Sequence, residues 1–282
     1  MDPNVKAWLE LVFRWTHVVA GITWIGHLFF FNWVNSQVAK TYDADSKKKV
    51  VPELMPRALY FFRWGAAYTW ITGILLLGFV YTMTTGNLLL DESKAGGPWG
   101  GTGIVFGVLI VGFFIYDVLW KAMAKKEMVG VIISFLIVAG IAFGLTQLFA
   151  PRAVWIIIGG LFGTIMAANV WMRIWPNQKK IIAATKAGTA PDAALVGLAG
   201  LRSKQNTYMA VPLVLIMVSN HYPTIFSMKV GDNNMEIGWV ILMVLILVGW
   251  GITKLLFKKS AGAAPKQFEA GSTAEAPAPK AA

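Results

Sequence analysis

Cysteine is absent from the 282 residues, and only 14% of them are charged. The first absence excludes disulfides, thiolate catalysis, iron–sulfur clusters and thioether-linked haem within this chain. Any metal or haem iron would be held by His, Met, carboxylate or lysine. Histidine is itself scarce, with only His17, His27 and His221. The low charge, set beside 56% hydrophobic residues and a mean hydropathy of +0.59, excludes a soluble domain of ordinary composition. No phosphate loop, serine triad, zinc motif or basic–aromatic surface is present, so nucleic acid is not an expected partner.

What the chain has in place of these is apolar length. Seven runs, about 8–36, 57–84, 103–121, 128–149, 153–174, 207–225 and 237–257, approach the ~20 residues that cross a bilayer as a helix. The first has no short hydrophobic core followed by a small-residue cleavage site, so it is expected to stay as a span. The expected fold class is all-α: a polytopic transmembrane helical bundle over 1–259, in contact with membrane lipids. The Ala/Pro-rich tail at 260–282 has little to bury and is expected to be disordered.

The net charge of +11 conforms to the same plan. Nineteen of the 25 Lys and Arg residues fall after the first, third, fifth and seventh runs, among them Lys47, Lys48, Lys49, Lys125, Arg173, Lys179 and Arg202. Basic loops stay in the cytoplasm, which puts the N-terminus outside and the C-terminus inside. The glycine-rich 86–102 connection then faces outside, and 183–201 reads as a short interfacial helix on the inner side. Trp8, Trp33, Trp155, Trp175 and Trp239 lie toward run ends, where aromatic belts form. Pro212 and Pro223 are expected to kink the sixth run near its two ends.

Ionisable groups inside such runs need a partner, a cavity or a cofactor. His17 lies five residues outward of the first run's centre near Ile22, and His221 five residues outward of the sixth run's centre near Ile216. Each is thus roughly 7–8 Å from its centre. Depth-matched imidazoles on two helices are the pattern that clamps a b-type haem as axial iron ligands. Arg14, one turn before His17 on the same face, is placed to pair with a propionate. The plainer alternative is that each ring hydrogen-bonds within the bundle. His27 and Asp117 fall at similar inner depth, with Arg63 somewhat nearer the cytoplasm, and the three read as a proton path, a second cofactor site or a structural ion pair. Asn177, Gln178, Ser203, Gln205 and Asn206 read as inner-surface residues, either solvated or in contact with a polar partner.

The stretches RWTHVVAGITWIGHLFFFNWVN, RALYFFRWGAAYTWITG, GTIMAANVWMRIWPNQKKII and RSKQNTYMAVPLVLIMVSNHYPT resemble the urate oxidase N-terminal domain family, the membrane part of bacterial membrane-bound urate hydroxylases. The resemblance implies a bacterial inner-membrane oxidoreductase that oxidises urate and passes electrons to a c-type cytochrome. It also supports His17 as a haem b ligand, and leaves His27 with Asp117 as a candidate proton relay. Family members usually continue into a cytochrome c carrying CxxCH, a motif impossible in a chain without cysteine. Either the electron acceptor is therefore a separate protein, or this chain no longer oxidises urate. Two other roles stay open: an accessory subunit of a larger respiratory or photosynthetic complex, and a transporter. The second lacks paired interrupted half-helices.

Overall fold

The computed structural model describes residues 2–82, 97–232 and 235–263. Most of the 86–102 connection and the tail from 264 onward lie outside these residues. Helix α1 runs Pro3–Val38, with a π-helical turn at Phe30–Asn35. Helix α2 is Ala44–Leu76, carried on by a second π turn at Leu77–Thr82. Helices α3 (Gly97–Ala122) and α4 (Glu127–Thr146) come next. Helix α5 spans Pro151–Ala187 with a third π turn at Val170–Ile174. Helix α6 is Ala193–Ser219 and α7 is Pro223–Phe226. A two-stranded antiparallel hairpin, β1 (Lys229–Val230) with β2 (Met235–Glu236), leads into α8, Gly238–Gly262.

Among the described residues the fold is all-α apart from that hairpin, and each of the seven apolar runs lies mostly on helix. By length and composition, α1, α3, α4, α5 and α8 are each apolar enough to cross a membrane. Helices α2 and α6 are as long, 33 and 27 residues, but their first halves carry charged residues such as Lys47, Lys48, Lys49, Arg202 and Lys204. An exposed apolar row on α1, Trp8, Leu11, Trp15, Val18, Val19 and Ile22, has the composition of a face that meets lipid.

Helix α5 is the centre of the bundle, packed by α2, α3, α4, α6 and α8. Its Trp155, Ile158, Leu161, Met166 and Val170 are almost wholly buried. Trp155 is thus core rather than belt, and its indole N–H donates to the Gly238 carbonyl at 3.1 Å. The π turn at Val170–Ile174 ends just before Trp175–Pro176, where proline has no N–H to continue the helical ladder. The extra residue of the π turn rotates the side chains around it, and Arg173 is one of those so turned.

Several boundaries differ from the sequence expectation. The 183–201 stretch is not one interfacial helix: α5 ends at Ala187, Gly188 closes it in the left-handed conformation (φ 76°), and Asp192 caps α6. Helix α6 therefore starts fourteen residues before the expected 207. Pro223 lies beyond it, opening α7, while Pro212 alone is inside α6.

Helix α2 starts outside the apolar run, capped by the Asp43 carboxylate, which accepts from Ser46 N–H at 2.6 Å. That hydrogen bond holds the Asp43 carboxyl below its ordinary value. A lowered folded-state value contributes stability above the unfolded pKa that is lost as pH falls through the folded one. Acidification below the carboxylate range, or Asp43→Ala at neutral pH, is expected to speed amide exchange over 44–48. Equal exchange in both proteins would remove the cap's role.

Candidate functional site

Two polar constellations interrupt the apolar packing, one on the α1–α2 seam and one where α3, α5 and α6 meet. On the seam, His17 Nδ1 lies 3.1 Å from Thr72 Oγ1. The Thr72 hydroxyl donates its proton to the Tyr68 carbonyl at 2.6 Å, so its oxygen accepts from His17 Nδ1–H. This chain of hydrogen bonds leaves Nε2 of His17 with its lone pair, the form in which imidazole binds iron, and resembles the outer support that orients metal-ligating histidines. Gly73 makes room for the ring: a Cβ there would stand 3.1 Å from His17 Cε1. Arg14, one turn away, is half-exposed and paired with Glu10 at 3.8 Å.

His221 is placed differently. It lies in the exposed turn after α6, held by its backbone N–H donating to Val218 O. Among the described residues no hydrogen bond or ring contact orients its imidazole. The fit of these residues to a haem is thus uneven: a hydrogen bond orients the His17 imidazole, and none among the described residues orients that of His221. Among the described residues, no three His, Asp or Glu side chains converge on a metal-sized site.

The expected His27–Asp117–Arg63 cluster does not form. His27 donates from Nδ1 to the Thr23 carbonyl at 2.7 Å and stacks on Phe61, with ring centroids 6.1 Å apart. Arg63 lays its guanidinium 4.0 Å over Trp175 and 5.5 Å from the Tyr60 ring. Its carbonyl accepts from the Trp171 indole, and its own Nε is buried without a partner. Asp117 instead turns to cations from its own helix and two others. Depth alone had aligned the three residues, but helix rotation sends them to different neighbours.

The Asp117 junction is the densest polar site described. Arg173 Nε donates to Asp117 Oδ1 at 2.9 Å, Arg202 NH2 to Oδ1 at 3.0 Å, and Lys121 Nζ lies 2.8 Å from Oδ2. Arg202 is fully buried and also covers the Tyr116 ring, 4.9 Å from its centroid. Behind the ion pairs, Tyr116 OH donates to Gln205 Oε1. Asn169 Nδ2 donates to Tyr116 OH at 3.0 Å and to Asn206 Oδ1 at 2.8 Å. Asn206 Nδ2 in turn donates to the Met166 carbonyl. The Asp117 carboxylate is thus the counter-ion of three cations, and His27 is not among its partners.

Arg202, Gln205 and Asn206 are therefore bundle residues, not solvated loop, and Ser203 accepts from Asn32 Nδ2 of α1 at 2.8 Å. Counting Arg202 and Arg173 among loop charges concealed their role. A signal was available: 116–117, 169 with 173, and 202 with 205–206 place polar residues at helical spacing inside apolar surroundings.

The sequence model of the family described as "Urate oxidase N-terminal" matches residues 3–50 and 41–276, nearly the whole chain. No curated protein and no solved structure matches it.

Proposed function

The chain belongs to the urate oxidase N-terminal family, and on that footing we propose a haem-binding, urate-hydroxylase-like membrane oxidoreductase. It sits in the bacterial inner membrane with seven passes, its N-terminus outside. Electrons taken from urate leave to a separate c-type cytochrome. The observation that carries the reading is the His17 imidazole, fixed by the Thr72 hydroxyl with Nε2 left as a lone pair. A haem b held there would supply one-electron redox chemistry to a bundle that has no cysteine for an iron–sulfur cluster or a thioether-linked haem. His221 is the second-ligand candidate, and Arg14 could reach a propionate only by leaving Glu10.

A reduced-minus-oxidised absorption spectrum of the protein in mild detergent tests this. The expected result is a b-type α-band that urate itself brings up. His17→Ala abolishes the band. Thr72→Val, which removes the acceptor that orients the ring, weakens haem retention about tenfold. Loss of the band in His221→Ala as well would make the ligation bis-histidine; an unchanged spectrum would remove His221 from the site. A flat spectrum from folded wild-type protein would sink the haem reading. Stoichiometric partners co-purifying with such haem-free protein would favour the accessory-subunit role.

A further inference from the structure

Away from both polar constellations, a pair of cations stands on the exposed side of the α2–α5 seam. Trp175 follows the 153–174 apolar run and precedes Lys179 and Lys180, so it marks the level at which apolar chain gives way to basic chain. Tryptophan at such a boundary belongs to the head-group zone of a bilayer. Two cations share its indole: the Arg63 guanidinium at 4.0 Å from the ring centroid and Lys179 Nζ at 5.6 Å. Because both stand on one ring, the two charges are close neighbours. The exposed Tyr60 ring lies 5.5 Å from the same guanidinium.

Neither charge is answered by a carboxylate among the described residues. The acid that precedes Arg63 on α2, Glu53, is taken by Arg57 at 2.6 Å. Arg63 is part-exposed; its terminal nitrogens are not among the buried atoms, and they donate to nothing among the described residues. A ring face attracts a cation but carries no net negative charge, so the pair remains without a counter-ion. The neighbouring surface is apolar and aromatic. Trp64 and Tyr68 follow Tyr60 at i, i+4 spacing on α2, all three exposed. Trp64 meets Tyr68 at 5.9 Å and Trp171 of α5 at 5.5 Å between ring centroids. A cationic end with an aromatic row leading from it into the apolar run has the layout of a phospholipid, head group to chain.

We propose that Arg63, Lys179 and Trp175 hold the phosphodiester of an anionic phospholipid, with one acyl chain laid along Tyr60, Trp64 and Tyr68. The phosphate oxygens accept from the Arg63 terminal nitrogens and from Lys179 Nζ, whose exposed four-carbon stem lets it turn to the same group. Basic recesses between spanning helices are where anionic head groups settle. Free phosphate shares the head-group chemistry but has no chain for the aromatic row. A zwitterionic lipid brings a quaternary ammonium that two cations repel. The site does not involve His17 and needs no haem.

The test is native mass spectrometry of the full-length protein in non-ionic detergent. It is titrated with dioctanoyl phosphatidylglycerol, dioctanoyl phosphatidylcholine or sodium phosphate. Saturable retention of phosphatidylglycerol, at lower concentration than phosphatidylcholine and with no retention of phosphate, supports the site. Arg63→Gln with Lys179→Gln is expected to raise the half-saturating phosphatidylglycerol concentration about tenfold. That double variant keeps the Trp171 bond to Arg63, because the acceptor is the backbone carbonyl. Lys125→Gln with Lys126→Gln removes the same charge from an exposed turn and is expected to change nothing. Equal retention of the two lipids, or equal weakening in the two double variants, would overturn the proposal. Phosphate displacing phosphatidylglycerol at matching concentration would make the occupant a free ion and overturn the lipid assignment. If the first double variant does not fold, Lys179→Gln alone, at an exposed residue, is expected to weaken retention in the same direction, and wild-type retention there would count against the site.

Discussion

Asp117→Leu is expected to cost the protein about 3–5 kcal/mol, the scale for stranding a buried charge by deleting its partner. Arg202 is the reason. Its guanidinium is fully buried, and Asp117 supplies both its carboxylate and its backbone carbonyl acceptor. With leucine at 117 only two uncharged acceptors remain, the carbonyl and Gln205 Oε1, and Arg173 loses its two bonds to the carboxylate as well. Because these arginines come from α5 and α6, the loss separates three helices rather than loosening one. Thermal melts in detergent and the yield of monodisperse protein would register it. A double replacement, Asp117→Leu with Arg202→Met, removes both buried charges and is expected to recover a large part of the loss, since an apolar pair of similar volume can replace a buried ion pair. If Asp117→Leu melts with wild type, the junction is not a determinant of the fold.

The second large effect is expected at Gly65, where α1 and α2 cross. A Cβ at this position would lie 3.1 Å from Trp24 N and 3.2 Å from Ala20 O, both backbone atoms of α1. Backbone cannot rotate away as a side-chain tip can, so the helices must part. Gly65→Ala is expected to cost about 1–3 kcal/mol by overpacking, and Gly65→Leu more. The damage reaches the candidate haem ligand. Gly65 and Gly73 are eight residues apart on α2, about 12 Å along the helix, and His17 packs directly against Gly73. Gly65→Leu should therefore lower the melting temperature and weaken any b-type band together. Gly140→Ala, where nothing lies within 4 Å of the added carbon, is the matched control and should be silent. A stable Gly65→Leu with an intact spectrum would mean that the seam tolerates separation.

Much of the architecture was legible in the chain itself. Apolar runs of spanning length dictate helices, because a backbone in hydrocarbon must satisfy its own hydrogen bonds. The described parts of the seven runs are mostly helical for that reason, and the long shared stretches with the urate oxidase N-terminal family are equally a property of the sequence. That His17 would need a polar partner was also readable, since an imidazole in such a run requires one, and Thr72 supplies it. Depth along a helix comes from counting residues. Rotation about its axis does not, because it depends on which neighbour each face meets.

That difference explains what only the tertiary structure decided. Counting placed His27, Asp117 and Arg63 together, yet Phe61, Arg202 with Arg173, and Trp175 are their actual neighbours. Arg202 and Asn206 sit in a stretch polar enough to read as loop. Docking against α3 and α5 gives their polar groups partners, and so offsets the cost of burying them. Composition and periodicity are local and determine that helices form and where they run. The tautomer of His17, set by a hydroxyl 55 residues away, and the cations around Asp117 are contacts between distant segments, and packing alone creates them.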